Sequence, residues 1–383
     1  MKRVHWMLAA AIGMAWSAAA HAQIKVGVVL SETGPAASLG VPEKKAVDLF
    51  PKEIAGQKID YIFMDDATDP TAAVKAAKRL VDDDKVDVVV GPSITPNSLA
   101  IIPVVGGAKT PNVSLSAGSS IVHPMTGDKK WVFITPQTTA LMAQTVVDNM
   151  VKNKITSAGF IGFNDAYGQE WWNSFQQDAK AKGIRIVADE RFNRTATSVT
   201  GQVLHIVGAK PQAVLIAAAG TPAALPEREL KKVGYSGQIY QTHGVANPDF
   251  LRVCGADCNG TLLPVAPGVV ASQLPADSPL KASTMAYAQA YEKAYGKGTL
   301  SQFSANAWDA GVLLEHAIPM ALQKAKPGDL VAFRTALRDA LEQVKGAAGA
   351  DGIYNMSPTD HNGLDARAAV MVRIENGHWQ LLK

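Results

Sequence analysis

The chain has 383 residues, of which 47% are hydrophobic and 19% are charged. This composition fits one large or two ordinary globular domains and excludes a disordered or fibrous chain. Lysine and arginine together number 37, aspartate and glutamate 34, and the formal net charge is +3. Such a balance excludes the strongly basic surface that nucleic-acid binding requires, so we expect no nucleic-acid partner.

The N-terminus has the three parts of a secretory signal peptide. A basic start precedes an apolar run from Met7 to Ala20, and small residues surround the cleavage position after Ala22. The run is shorter than the roughly 20 apolar residues that a membrane anchor needs. We therefore predict that residues 1–22 are removed and that the mature protein is exported to the periplasm.

From residue 24 onward, short β-branched runs alternate with helical patterns, which is typical of parallel sheets with crossover helices. The first predicted strands cover 24–30, 58–64, 86–90 and 112–115. Asp69-Pro70 predicts a helix start, because aspartate caps helices and proline fits their first turn. Pro51 falls inside a helical pattern over 41–54, so we expect a break there.

The alternation restarts with a helix from about Thr138, and further strands are predicted at 158–163, 184–190, 214–217 and 238–242. Two successive runs of this kind predict two α/β lobes. The stretch 264–279 is rich in proline and small residues, as a segment crossing between lobes would be.

Cys254 and Cys258 are the two cysteines of the chain. In an exported protein their spacing favours a small local disulfide over free thiols. A metal site needs further ligands, and the nearest histidine in sequence, His243, has no second histidine beside it. We therefore expect neither a metal nor a cofactor.

After residue 279 the alternation stops. Three helices are predicted at 280–295, 303–324 and 330–345, followed by strands at 352–356, 367–374 and 378–381. This β-rich tail is too short to fold alone, so we expect it to join an earlier lobe. The chain then crosses between the lobes more than once.

The sequence lacks the common enzyme motifs: a Gly-x-Ser-x-Gly elbow, a P-loop, a dinucleotide glycine fingerprint and a His-Glu-x-x-His helix. Acidic runs such as 82–84 are typical of solvated turns. A triad assembled only in space escapes this search, so a hydrolase or a sensor domain on the same fold stays an alternative. Nothing positive indicates catalysis, and we predict a binding protein that is not an enzyme.

Two loops that follow predicted strands are rich in hydroxyl groups, at 91–98 and 114–120. In open α/β sheets, ligands bind beyond the carboxyl ends of the strands, where helix N-termini offer unpaired N–H groups to an anion. Hydroxyl and N–H donors together offset the hydration that a buried carboxylate loses. Ordinary caps and turns explain the same residues equally well.

Several motifs recur in order along the mature chain, at 24–28, 31–35, 65–70, 91–92, 165–168 and 244–247. Together they resemble the substrate-binding proteins of ABC importers, in the leucine/isoleucine/valine-binding branch. This resemblance implies an α/β fold of two doubly wound three-layer lobes joined by a three-segment hinge, the type I periplasmic binding protein fold. The implied lobes are 24–138 plus 269–350 and 139–268 plus 351–383. The implied partners are a small-molecule ligand and an inner-membrane ABC permease, and we expect a monomer.

The resemblance also implies a ligand site between the lobes. The family's hydroxyl loop, which holds the ligand carboxylate, falls on Thr95, with Ser93 nearby. The second loop holds the same group partly through backbone atoms and falls on Ser116, Ala117 and Gly118.

Further site residues follow from the same resemblance. The family's ligand-contacting tyrosine in the second lobe falls on Tyr167, and the alternative role of this residue is to cap its helix. The family's aromatic wall falls on Phe303, and the alternative role of this residue is core packing. Leu39 replaces the family's aromatic residue near the first loop, and the small stretch 217–220 replaces a polar or aromatic contact. Both changes make the cleft less polar and leave more room.

His243 stands where amino-acid binders of this family carry an acidic residue that pairs with the ligand ammonium. An imidazole offers at most one neutral acceptor and becomes a cation below about pH 6.5. The pattern is similar to the subgroup that binds aromatic carboxylates, such as benzoate or hydroxycinnamate derivatives. The alternative is a branched-chain amino acid or amide, whose ammonium would meet Asp165 or Glu227 instead.

Overall fold

The structure is a computed structural model that describes residues 23–382. The predicted signal peptide, 1–22, lies outside the described residues. Within them, no helix combines the length and the apolar character needed to cross a membrane.

The first lobe is built on a six-stranded sheet with the order β2-β3-β1-β4-β5-β6. Its strands are β1 (Ile24–Leu30), β2 (Glu53–Ile54), β3 (Gln57–Asp65), β4 (Val88–Val90), β5 (Asn112–Ser114) and β6 (Val132–Ile134). All pairs are parallel except β2 with β3. The helices between them are α1 (Ala37–Val47), α2 (Pro70–Lys78), α3 (Thr95–Gly107) and α4 (Ser119–Val122). The predicted start of α2 is present, since the Asp69 carboxylate accepts a hydrogen bond from the N–H of Ala72.

The second lobe is built on a seven-stranded sheet with the order β15-β14-β11-β10-β9-β7-β8. Its first strands are β7 (Ser157–Phe163), β8 (Arg185–Phe192), β9 (Ala213–Ala217), β10 (Gln238–Gln241) and β11 (Leu262–Val265). Its helices are α5 (Thr139–Lys152), α6 (Ala166–Ala181), α7 (Thr200–Gly208), α8 (Ala224–Lys232) and α9 (Pro248–Cys254).

The chain then returns to the first lobe with three helices and a short ribbon. These are α10 (Lys281–Tyr295), α11 (Gln302–Leu322), α12 (Leu330–Glu342) and the antiparallel pair β12 (Lys345–Ala348) and β13 (Ile353–Asn355). The last two strands, β14 (Val370–Glu375) and β15 (His378–Leu381), extend the second sheet. β14 is antiparallel to β11, and β15 is antiparallel to β14. The prediction that the tail joins an earlier lobe is therefore confirmed.

Each sheet has its own apolar core, and the core in which a residue packs shows to which lobe it belongs. Tyr354 and Met356 pack in the core of the first sheet, whereas Val372 and Ile374 pack in the core of the second. We therefore place the third crossing between these pairs, later than the predicted boundary at residue 350. Exact lobe limits stay a proposal.

The helix predicted over 41–54 with a break at Pro51 has different limits. Helix α1 ends at Val47, so Pro51 lies beyond it, and its carbonyl accepts a hydrogen bond from the hydroxyl of Tyr61. The proline that the helix does contain is Pro42. Pro42 lies in the second turn of α1, where its ring removes the N–H bond that would otherwise reach the carbonyl of Ser38.

The two lobes touch each other around a cleft. Leu39, Ile94 and Phe303 of the first lobe pack against the apolar core of the second. Hydrogen bonds cross the cleft too: Thr221 N–H donates to Ser38 Oγ at 3.4 Å, and Glu170 accepts a hydrogen bond from Ser120 Oγ. The structure is thus the closed arrangement of the lobes.

Candidate ligand-binding site

A narrow cleft between the lobes collects nearly all of the predicted site residues. It is lined by Leu39, Ser93, Ile94, Thr95, Leu115, Ser116, Ala117, Tyr167, Arg194, Ala219, His243, Gly244, Phe303 and Asn306. Its volume is about 30 Å³, which is room for one or two water molecules. The lobes must therefore move apart before a ligand of about ten heavy atoms can enter. Once that ligand is bound, the lobes must stay somewhat farther apart than in this structure.

The hydroxyl side of the cleft lies at the carboxyl ends of β4 and β5, as predicted. Thr95 is the first residue of α3, and its Oγ1 lies 2.8 Å from Ser116 Oγ. The first turn of a helix has unpaired N–H groups and a partial positive charge, which favour an anion. Because one of the two hydroxyls donates to the other, the pair keeps one hydrogen that can be donated to a carboxylate beside this helix end.

Gly118 is the predicted site residue that does not line the cleft. A Cβ atom at this position would lie 2.6 Å from Thr95 Cγ2 and 3.1 Å from a carboxylate oxygen of Glu170. The absence of a side chain therefore lets the β5–α4 loop pack closely on Thr95. Gly118 therefore supports the position of Thr95, and its contact with the ligand through backbone atoms stays a prediction.

Ser93, on the β4–α3 loop, connects the cleft with a buried polar group behind it. Ser93 Oγ accepts a hydrogen bond from the N–H of Ser31 at 3.0 Å and is also hydrogen-bonded to Glu43 Oε2. Burial raises the pKa of the Glu43 carboxyl well above its usual value, and the nearby charge of Asp66 acts in the same direction.

Tyr167 lies on the opposite side of the cleft, and the donor and acceptor in its hydrogen bond to Thr242 can be assigned. Its hydroxyl lies 2.8 Å from Thr242 Oγ1, and Thr242 Oγ1 donates to the carbonyl of Ala218 at 2.7 Å. Since the single hydroxyl hydrogen of Thr242 is used on Ala218, Tyr167 must donate to Thr242. The oxygen of Tyr167 therefore keeps lone pairs that can accept a hydrogen bond from a ligand.

His243 lies in the same wall, at the end of β10, and its side chain is only 3% exposed. Burial lowers the pKa of its imidazole to about 3, so the ring is neutral at any physiological pH. The expectation of a cation below about pH 6.5 is therefore wrong for the closed protein, because a charged ring would be desolvated without a partner. Its Nδ1 is buried and has no hydrogen-bond partner among the described residues.

The remaining walls are apolar. Phe303 stands in the first turn of α11, with 5% of its surface exposed, and packs both against the cleft and in the core. Leu39 and Ala219 face the cleft at the two replaced positions. These residues offer a flat apolar body a dry surface to pack on.

Arg194 supplies a positive charge at the cleft that sequence reasoning missed. It follows β8, and its Nε donates to Asp165 Oδ2 at 2.6 Å while its guanidinium lies over the ring of Phe163. Asn306, one turn after Phe303 on α11, was also missed. Among the described residues that line the cleft, none is an aspartate or a glutamate.

Comparison with known proteins places the chain in a family. A family model described as periplasmic binding protein matches residues 23–378. The chain belongs to the periplasmic binding protein family. The type I periplasmic binding protein fold predicted from the resemblance is confirmed by solved structures of ligand-binding proteins that share the fold. An extracellular ligand-binding receptor from Rhodopseudomonas palustris is 41% identical, with a TM-score of 0.90 over 94% of this chain and 99% of that chain.

Curated relatives of this binding protein carry amino-acid names. Leu/Ile/Val-binding protein homolog 3 of Brucella melitensis is 27% identical over 66% of this chain and 70% of its own length. Two more distant solved structures share the fold: a solute-binding protein from Rhodopseudomonas palustris in complex with 3,4-dihydroxybenzoic acid, at 22% identity and a TM-score of 0.79, and LivJ from Streptococcus pneumoniae in complex with isoleucine, at 21% and 0.79. The fold therefore does not by itself choose between the two ligand classes.

The residues named as alternative partners for an ammonium group do not line the cleft of this binding protein. Asp165 caps α6 by accepting from the N–H of Gly168 at 3.2 Å, and its second oxygen binds Arg194. Glu227 is buried within the second lobe, where Gln241 Nε2 donates to it at 2.8 Å and Thr261 Oγ1 also donates. Neither carboxylate is free to meet a ligand there.

Cys254 and Cys258 form a disulfide in the structure, with their Cα atoms 5.8 Å apart. The two sulfurs and a carboxylate oxygen of Glu227 lie within 4.8 Å of one another, which is a spacing that could hold a metal ion. Metal binding requires thiolates, and the disulfide removes them. The arrangement therefore fits a structural cross-link at the end of α9.

Proposed function

We propose that this periplasmic binding protein is the solute-binding component of an ABC importer and that it captures a small organic carboxylate between its lobes. The observation that carries the proposal is the asymmetry of the cleft. Thr95, Ser116 and the start of α3 form a group of donors on one side, and Arg194 adds a positive charge. A carboxylate would be well solvated by such a set.

The opposite wall of the cleft indicates what the ligand carries besides its carboxylate. His243 is neutral, and the described lining contains no carboxylate, so an ammonium group would find no ionic partner there. Burying an unpaired charge is costly. The geometry thus favours a carboxylate without an ammonium group, and the apolar walls at Phe303 and Leu39 favour an aromatic acid as the first candidate.

A branched-chain amino acid is the second candidate, and the comparisons support it better than they support an aromatic acid. The names of the curated relatives refer to leucine, isoleucine and valine. One feature of the cleft fits this candidate too: the oxygen of Tyr167 is free to accept, and an ammonium N–H could donate to it. A neutral acceptor stabilises an ammonium less than a carboxylate does.

A matched pair of ligands separates the two candidates. Leucine and 4-methyl-2-oxopentanoate have the same carbon skeleton and carboxylate, but only leucine carries an ammonium. Mature protein, stripped of ligand by unfolding and refolding, would be titrated calorimetrically with this pair, with benzoate and with a hydroxycinnamate. Binding of the oxo acid or the aromatic acids without leucine supports the first candidate. Binding of leucine in preference to its oxo analogue overturns it and supports the second.

The same samples test the proposed assembly. We expect a monomer by light scattering, with and without ligand, since each lobe pair encloses its own cleft. Delivery to a membrane permease would be measured as ligand-dependent stimulation of ATP hydrolysis by the co-purified importer. Absence of stimulation by a binding-competent protein would contradict the transport role.

A further inference from the structure

Glu43 is a buried acid that lies directly behind the cleft. It stands on α1 with none of its surface exposed. Its Oε2 is hydrogen-bonded to Ser93 Oγ, and its Oε1 is buried without a hydrogen-bond partner in the described part of the chain. An ionised carboxylate with one oxygen left unpaired in the interior is strongly disfavoured.

The hydrogen-bonding capacity of Ser93 determines what it can present to a ligand. A serine hydroxyl donates one hydrogen bond and accepts two. One acceptor position is filled by the N–H of Ser31. The second position, or else the single donor hydrogen, is used by Glu43.

The two protonation states of Glu43 therefore give Ser93 opposite properties. If Glu43 is ionised, Ser93 donates to it and keeps one lone pair for the cleft. If Glu43 is a neutral acid with its proton on Oε2, the oxygen that faces Ser93, its O–H donates to Ser93. A proton on Oε1 would have no acceptor among the described residues. With the proton on Oε2, both acceptor positions of Ser93 are filled, and the Ser93 hydrogen can only point elsewhere. Ser93 lines the cleft, so that hydrogen is available to a ligand oxygen.

We propose that Glu43 is a positioning residue: as a neutral carboxylic acid it donates to Ser93 and so makes Ser93 an obligatory donor to the ligand carboxylate. This inference rests on the proposed function, because it assumes a carboxylate in the cleft. It applies to an aromatic acid and to an amino acid alike, and it excludes Ser93 as an acceptor for an ammonium group.

The surroundings of Glu43 support the neutral form. Asp66, which directly follows β3, is the acidic neighbour that acts on Glu43. It is itself buried, and Ser31 Oγ donates to its Oδ1 at 2.6 Å. Two buried acids close together oppose each other's ionisation. Ser31 joins them, since its hydroxyl donates to Asp66 and its N–H donates to Ser93.

The proton on Glu43 can be observed without any ligand. Infrared spectra of the mature wild-type protein and of the Glu43→Gln variant would be recorded at neutral pH and subtracted. A protonated carboxylic acid has a carbonyl band well separated from that of a carboxylate. We expect the wild type to show one such band that the variant lacks. If the difference spectrum shows only a carboxylate band, Glu43 is ionised and the proposal is wrong.

Binding measurements then test the consequence for Ser93, with benzoate and leucine as probes. Glu43→Gln keeps a donor toward Ser93, so we expect the affinity for the bound probe to stay within about threefold of the wild type. Ser93→Ala and Glu43→Met remove the ordered donor, and we expect each to weaken binding by about tenfold. Equal affinities of the Met and Gln variants would overturn the proposal.

The two failures are distinguishable. If none of the four carboxylates named above binds the wild type, the proposed ligand class is wrong, while the infrared difference still decides whether Glu43 is protonated. Unfolding midpoints of all three variants, measured without ligand, show whether a loss of affinity comes from a loss of folded protein.

Discussion

Arg194 Nε lies 2.6 Å from Asp165 Oδ2, and this pair connects the segment after β8 to the start of α6. Asp165 also caps α6, the helix whose first turn carries Tyr167. The ion pair is mostly shielded, with 13% and 20% of the two side chains exposed. The positive charge at the cleft and the position of the tyrosine are therefore set by one carboxylate.

Replacing Arg194 with Met should weaken the binding of carboxylate ligands by about tenfold to a hundredfold, because hydrogen bonds to charged groups contribute roughly 1.5–3 kcal/mol. Calorimetric titration with the ligand found in the screen measures the change. Arg191→Met is the matched control, since Arg191 lies near the end of β8 but packs on Phe160 and Trp172 and not in the cleft. Equal losses in both variants would show that Arg194 acts only on folding.

His243 should not titrate between pH 5 and pH 8 in the closed protein. Its pKa is lowered to about 3 by burial, whereas the unfolded chain has the ordinary value near 6.5. The unfolded state thus binds more protons between about pH 3 and 6.5, and this contribution makes the protein more stable as pH rises through that range. Proton NMR of the imidazole in the ligand-bound protein checks the first statement. A midpoint near 6.5 would show that the ring is solvated.

Glu227 should have the opposite effect on stability. Burial raises its pKa to about 7, so between its unfolded value and pH 7 the folded state binds more protons. The contribution of Glu227 is therefore fully present below the unfolded pKa and is lost as pH rises through about 7. In the wild type, the free energy of unfolding measured in urea should fall between pH 5 and pH 8. In Glu227→Gln this fall should be smaller, by up to about 3 kcal/mol. Parallel changes in both proteins would contradict the assignment.

The architecture could be read from the sequence because it depends on local patterns. Runs of buried β-branched residues mark the parallel strands, and the Asp69-Pro70 start of α2 needs only the residues beside it. The limits of α1 were missed because helix ends depend on packing that a hydrophobic pattern does not record. The two hydroxyl-rich loops could be predicted because each directly follows a strand. They lie close together because the carboxyl ends of neighbouring parallel strands are at the same edge of the sheet.

The rest of the site depends on contacts between residues far apart in sequence. Arg194 is one arginine among many, and its place at the cleft comes from Asp165 and Phe163. The neutral state of His243 is a consequence of burial, which is a property of the closed lobes. The acid behind Ser93 is separated from it by fifty positions, so no local motif could connect them.

Gly244 should be intolerant of a side chain because three groups surround its α carbon. A Cβ atom there would lie 2.7 Å from the Tyr167 hydroxyl, 2.8 Å from Ala219 Cβ and 2.9 Å from the Ala218 carbonyl. Gly244→Ala should therefore displace Tyr167 from Thr242, destabilise the protein by about 1–3 kcal/mol and weaken ligand binding. Urea unfolding and calorimetric titration measure the two effects.

A second substitution tests whether the tyrosine hydroxyl causes the effect of Gly244→Ala. Tyr167→Phe removes the group that the new methyl would meet, so the double variant should lose less stability than the sum of the single losses. Gly201→Ala, at an exposed helical position of α7 with nothing within 4 Å, is the control and should be neutral or slightly stabilising, since alanine favours helices over glycine. Additive losses in the double variant would mean that Ala218 and Ala219, and not Tyr167, set the limit at Gly244.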